Sequence, residues 1–109
     1  MTTIYPLAKL VPLIRKTQKS DQTVGLITGC FDIIHLGHIQ LFQFAKKYVD
    51  ILIIGLDNDQ TIRLTKGPNR PIHKYTERVK FLSEIKSIDY IFKINPKSNY
   101  QRKIGRYYL

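Results

Sequence analysis

The sequence predicts an α/β fold built on a parallel sheet, and three observations carry that expectation. Segments with helical apolar spacing alternate along the chain with short apolar runs of strand length. The run ILII at 51–54 shows no polar alternation, as expected of a strand buried on both faces of a parallel sheet. Turn-forming Gly29, and later Asp57 and Asn58, follow the first two strand-like runs, on the side where such sheets hold ligands.

Leu7, Leu10, Val11 and Ile14 set a helical spacing over 6–18, with Pro6 suited to a first turn. Pro12 does not suit a helix interior, so the helix is expected to kink or start there. KTQKSDQT at 16–23 reads as a loop, and VGLIT at 24–28 as a buried strand ending at Gly29. A helix is expected over 37–48, with Ile39, Phe42 and Ala45 on one face and Leu41, Phe44 and Tyr48 beside them. Asp50 to Leu56 is the second strand. Asp57 or Asn58 can cap a short helix over 59–65. Lys66 to Pro71 must be a loop, because two prolines and a glycine interrupt it. A helix over 75–86 turns Val79, Leu82 and Ile85 inward, and Asp89 to Ile94 is the third strand. The tail from Asn95 has no assignable period.

The 109 residues suffice for one core and not for two domains, so 1–109 is expected to be a single domain. The longest apolar runs are too short to span a membrane, and the N-terminus lacks a secretory pattern; a cytoplasmic location is expected. A single cysteine excludes an intramolecular disulfide, and Cys30 with three scattered histidines does not make a zinc site. The net charge of +10 favours polyanionic partners: nucleotides, phosphorylated metabolites, nucleic acid or an acidic membrane surface. The excess includes a tail cluster of Lys93, Lys97, Arg102, Lys103 and Arg106, equally readable as a solvated surface.

GCFDIIHLGH, Gly29 to His38, is the stretch where chemistry concentrates. Gly29 allows a tight turn and close backbone approach after a strand. A helix starting near Gly37 offers free N–H groups and a favourable dipole to an anion. His35 and His38, three apart, can face one ligand and stabilise charge growing on a phosphate. Gly37 leaves the gap between them open. Taken singly, each of these residues is more simply a turn glycine or a surface histidine. Together, at a strand's carboxyl end in a basic α/β chain, they point to phosphate binding.

The pattern G-x-F-D-x-x-H-x-G-H, present as Gly29, Phe31, Asp32, His35, Gly37 and His38, resembles the signature of the cytidylyltransferase-like nucleotidyltransferases. The resemblance continues through AKKYVDILIIGLDNDQTIR and KGPNRPI to ERVKFLSEIKSIDYI, covering Leu7 to Phe92. It implies a Rossmann-like three-layer fold and nucleotidyl transfer from ATP or CTP, with Mg²⁺, to a phosphorylated small molecule. Within the family the chain looks most like enzymes that adenylate heptose phosphates, with glycerol-3-phosphate cytidylyltransferases next. By resemblance, His35, His38 and Lys66 are catalytic. Thr28, Gly29, Cys30 and Phe31 form the triphosphate turn, with Asp32 orienting it and Gly37 in the gap. Arg78 lies near phosphates, and Asp59 matches a frequent acid after the second strand. No protein-held metal site is implied. A homodimer is expected, and neither a membrane nor nucleic acid is the expected partner.

Family members continue through another strand to an I-S-T-T-like segment, and nothing in 93–109 matches it. The sheet is therefore expected to end after its third strand, with a poorly covered edge. Two other readings stay open. One is a shortened nucleotide-binding module without activity of its own. The other is a small nucleic-acid-binding protein, supported only by charge and tail aromatics.

Overall fold

The computed structural model describes residues 2–100, so Arg102, Lys103, Arg106, Tyr107 and Tyr108 lie outside the described residues. The elements run β1 (Thr3–Ile4), α1 (Leu7–Lys19), β2 (Val24–Gly29), α2 (Leu36–Lys46), β3 (Ile51–Asp57), α3 (Asp59–Lys66), α4 (Tyr75–Ser83) and β4 (Tyr90–Ile94). All strands pair in parallel in the order β1-β4-β3-β2. β3 lies at the centre, with Val24 opposite Ile51 on one side and Ile53 opposite Tyr90 on the other.

The period of two along each strand sorts the core into two layers. Leu52, Ile54, Leu56 and Ile91 face α2 and α4, where they meet Phe42, Ala45, Leu82 and Ile85. Val24, Leu26, Ile53, Phe92 and Ile94 face α1, against Leu10 and Ile14. ILII is thus buried on both sheet faces, as its composition predicts. Gly55 lets the layers close at the centre. A Cβ there would stand 2.8 Å from Ile94 Cδ1 and 2.9 Å from Phe92 Cζ.

Three local expectations are revised. α1 does not start at Pro12 but runs through it, and Pro12 and Ala8, whose carbonyl Pro12 cannot engage, are both exposed. A fourth strand is present: Thr3 and Ile4 pair with Tyr90 and Ile91 and cover the outer side of β4. Among the described residues, the edge of the sheet without a further strand is that of β2. α4 stops at Ser83, three residues short of the predicted end. None of the described helices is long and apolar enough to cross a membrane.

Candidate functional site

Beyond β2 the chain turns at residues 30–35 and enters α2. The sharp conformation falls on Phe31, with φ 45°, and not on Gly29. Phe31 is buried, and its ring meets Phe42 at 5.4 Å and His38 at 5.6 Å between centroids. Gly29 is required for room instead: a Cβ there would lie 3.0 Å from the Phe31 ring. Core packing of one aromatic thus holds the left-handed turn that a glycine would otherwise supply.

His35 is the N-cap of α2. Its Nδ1 accepts the Gly37 N–H at 3.0 Å, while His38 Nδ1 accepts the His35 N–H at 3.2 Å. The two form a capping box made of imidazoles. A ring nitrogen that accepts a hydrogen bond carries no proton, so each neutral ring holds its proton on Nε2. The rings stand 4.1 Å apart, centroid to centroid. The arrangement offers two Nε2–H donors at a helix N-terminus, where the dipole also favours an anion. Burial and the neighbouring His35 hold the His38 pKa below its ordinary 6.5, keeping the ring neutral near pH 7. Gly37 is needed beside them, since a Cβ would come 2.8 Å from His35 Cε1.

Asp32 is buried and fully engaged by the loop before α4. Its carboxylate accepts from Ile72 N–H and His73 N–H, each at 2.8 Å, and from Arg70 Nε at 2.9 Å. Burial pushes its pKa up, but those bonds and the Arg70 charge outweigh burial and leave it below 3.8. Asp32 therefore fixes the 70–73 loop against the turn. Ionised and acceptor-only, it has no donor to offer a phosphate oxygen, so its part is to hold the turn.

Arg78 departs furthest from expectation. It is 2% exposed, and its guanidinium donates to His73 O, Cys30 O, Asp57 O and Asp59 Oδ1 at 2.7–2.9 Å. It ties the carboxyl ends of β2 and β3 to the start of α4. Asp59 Oδ1 also accepts the Tyr75 N–H. With four donor contacts taken by the protein, Arg78 is a clamp beneath the site rather than a free cation for a phosphate.

Lys66 closes α3 before Gly67, whose φ of 107° suits glycine. It is exposed and forms no hydrogen bond or ion pair among the described residues. Its charge reaches Asp57, whose carboxyl burial pushes up and Arg78 and Lys66 pull back down. Thr28 is exposed at the end of β2, and Cys30 serves through its carbonyl. The structure thus joins Gly29, Phe31, Gly37, His35 and His38 in one turn and helix start. It places Asp32, Asp59 and Arg78 in the framework below, and Lys66 at a neighbouring helix end.

Arg70 is the residue that sequence reasoning missed. Asp32 holds its Nε, and no described residue takes its Nη groups. A cleft of about 260 Å³ lies between residues 31–34 and α4, bordered by His73, Glu77 and Phe81. Neither site histidine lines it. Among the described residues no three His, Cys, Asp or Glu side chains converge as a metal cage.

Fold and site together define a three-layer α/β domain with two imidazoles and a helix N-terminus at the carboxyl side of its sheet. The chain belongs to the cytidylyltransferase-like family, whose sequence profile matches residues 26–107. That match runs past Phe92, further than the motifs alone reach. The chain is similar to the bifunctional protein HldE of Desulfatibacillum aliphaticivorans, 35% identical over 88 residues, which are 81% of this chain and 18% of that protein. It is similar also to the bifunctional protein HldE of Aliarcobacter butzleri, 33% identical over 98 residues, or 90% of this chain and 21% of that one. The chain therefore spans about a fifth of the length of these relatives. Among solved structures it resembles the lipopolysaccharide core biosynthesis protein of Thermoplasma volcanium GSS1. The TM-score is 0.67 at 28% identity, covering 76% of this chain and 68% of that one.

Proposed function

We propose that this chain carries the phosphate-gripping part of a nucleotidyltransferase that moves a nucleotidyl group from ATP, or CTP, to a phosphorylated small molecule. The observation that carries the reading is the imidazole capping box, which leaves both Nε2–H groups to donate. An oxygen of the acceptor's phosphate attacks the α-phosphorus, the bond to the bridging oxygen breaks, and pyrophosphate leaves. The nucleophile is already an anion, so positioning and charge neutralisation do the work. His35 and His38 donate to oxygens on the transferring group, and Lys66 neutralises charge on the phosphates. Thr28, Gly29, Cys30 and Phe31 form the turn that approaches the triphosphate. Mg²⁺ carried in with the nucleotide would supply charge neutralisation at the leaving pyrophosphate. Resemblance to heptose-phosphate enzymes favours a sugar phosphate as acceptor, ATP as donor, a homodimer, and a cytoplasmic setting.

Pyrophosphate release with ATP or CTP, Mg²⁺ and phosphorylated sugars tests the reading. Turnover is expected, falling about 10²–10³-fold in His38→Ala. Turnover indifferent to that substitution sinks the role of the histidines. Nucleotide binding without turnover would instead favour a nucleotide-binding module without activity of its own.

A further inference from the structure

The reaction proposed above brings two anions together: the transferring α-phosphate and the attacking phosphate of the acceptor. The histidine pair serves the first. The second calls for a cation at the same turn. Arg78 is the arginine expected there, but its guanidinium is taken by His73 O, Cys30 O, Asp57 O and Asp59 Oδ1. Lys66 stands apart at the end of α3. Arg70 is differently placed. Its Nε donates to Asp32 Oδ2 at 2.9 Å, and Asp32 stands three residues before His35, inside the turn itself. The Arg70 side chain is 36% exposed against 1% for Asp32, and no described residue accepts from either Nη.

Arg70 is also held before any ligand arrives. The carboxylate of Asp32 accepts the Ile72 and His73 N–H groups, the Arg70 N–H reaches Gly67 O at 3.3 Å, and Arg78 holds His73 O. A planar guanidinium with its Nε fixed has little rotamer freedom left to lose, and its two Nη groups remain a fork for two oxygens. Asp32 also borders the cleft of about 260 Å³, whose apolar wall is Phe31, Ile33, Ile34 and Phe81. That volume lies just under the ~300–1,000 Å³ of ordinary ligand pockets, which suits a single sugar-sized body and not a nucleoside triphosphate. We propose that Arg70, oriented by Asp32, binds the phosphate of a small phosphate monoester at this turn. In the reaction above that monoester is the acceptor, an assignment that rests on that reading, whereas the phosphate site itself does not. The two Nη groups donate to two of its phosphate oxygens and leave the third to attack. That oxygen bonds to the α-phosphorus as the bond to the bridging oxygen breaks, and pyrophosphate leaves with the electron pair. Because Asp32 offsets the charge of Arg70, the fork and not net charge sets the affinity.

Calorimetric titration of the full chain with glucose 1-phosphate and, separately, with MgATP tests the assignment in wild type, Arg70→Lys and Arg70→Gln. Both variants are expected to bind glucose 1-phosphate at least ~10-fold more weakly and MgATP within ~2-fold of wild type. Arg70→Lys keeps a charged donor for Asp32, so its urea unfolding should stay close to wild type while the affinity falls. Unaltered glucose 1-phosphate affinity in Arg70→Lys overturns the proposal, since Arg70 would then be a staple of the loop or a point charge. A loss of MgATP affinity as large as that for glucose 1-phosphate also overturns it, because the fork would then hold the nucleotide. In wild type alone, the Arg70 Nη–H resonances should shift on adding glucose 1-phosphate, and resonances that do not move overturn the proposal without any variant. The transferase reading fails separately: Arg70-dependent binding without pyrophosphate release would sink that reading and leave the monoester site standing. Pyrophosphate release whose KM for the sugar phosphate is indifferent to Arg70→Lys would do the reverse.

Discussion

Arg78 makes a single-residue claim with a large consequence. Its guanidinium is enclosed and meets three carbonyls and one carboxylate, so its loss leaves Asp59 and two strand ends without their common partner. Arg78→Met is expected to cost about 3–5 kcal/mol in urea unfolding, the range for breaking a buried pair. Arg78→Lys should recover only part, because a point charge cannot reach three carbonyls at once. A loss below about 1 kcal/mol would mean that the clamp is dispensable. His38 makes a pH-dependent claim. Its folded pKa lies below 6.5 because burial, then His35, disfavours the imidazolium. The neutral ring therefore contributes stability that is full above pH 6.5 and is lost as pH falls through the lowered folded value. Protonation also removes the acceptor for the His35 N–H. Urea unfolding of wild type and His38→Ala over this range should show a fall specific to wild type. Parallel curves would refute it. Asp32 acts lower: its carboxylate adds stability above 3.8 that disappears in stronger acid.

At the scale of elements, α2 has to be a packed helix and a ligand-facing terminus at once. Phe42 and Ala45 anchor it to the sheet, and His35 caps it. The two duties of His35 are separable. His35→Ala removes the cap and is expected to cost about 1 kcal/mol. His35→Asn restores a capping acceptor but places no imidazole Nε2–H toward a phosphate, so stability should return while nucleotide affinity does not. Recovery of both in His35→Asn would reduce His35 to a cap, as read by chemical denaturation and calorimetric titration. Gly37→Ala should resemble His35→Ala, because its Cβ displaces the imidazole. Most elements were legible because each of the longer ones carries its own period. β1 was not, since two residues have none. The contiguous motif made the histidine pair legible as well. Arg78 was misplaced because an arginine on an amphipathic helix reads the same whether it faces water or a ring of carbonyls. The left-handed turn at Phe31 was hidden for a related reason: it is held by packing against Phe42, which is distant in sequence.

For the whole molecule, net charge bears on the proposed anion site. The proposed anion site is a helix terminus with imidazole donors in a chain of net charge +10, so affinity for a triphosphate there would have a screened, long-range component. If the folded chain binds nucleotide as proposed, its unfolding free energy rises by about 2.7 kcal/mol at a ligand concentration 100 times the dissociation constant. That stabilisation, measured with MgATP and with MgCTP at fixed protein concentration, should shrink as salt rises. His38→Ala should lose most of the nucleotide effect, because it removes one of the two Nε2–H donors. Stabilisation by nucleotide that survives His38→Ala in full, or that is indifferent to salt, would remove the histidine pair and the helix terminus from the proposed anion site.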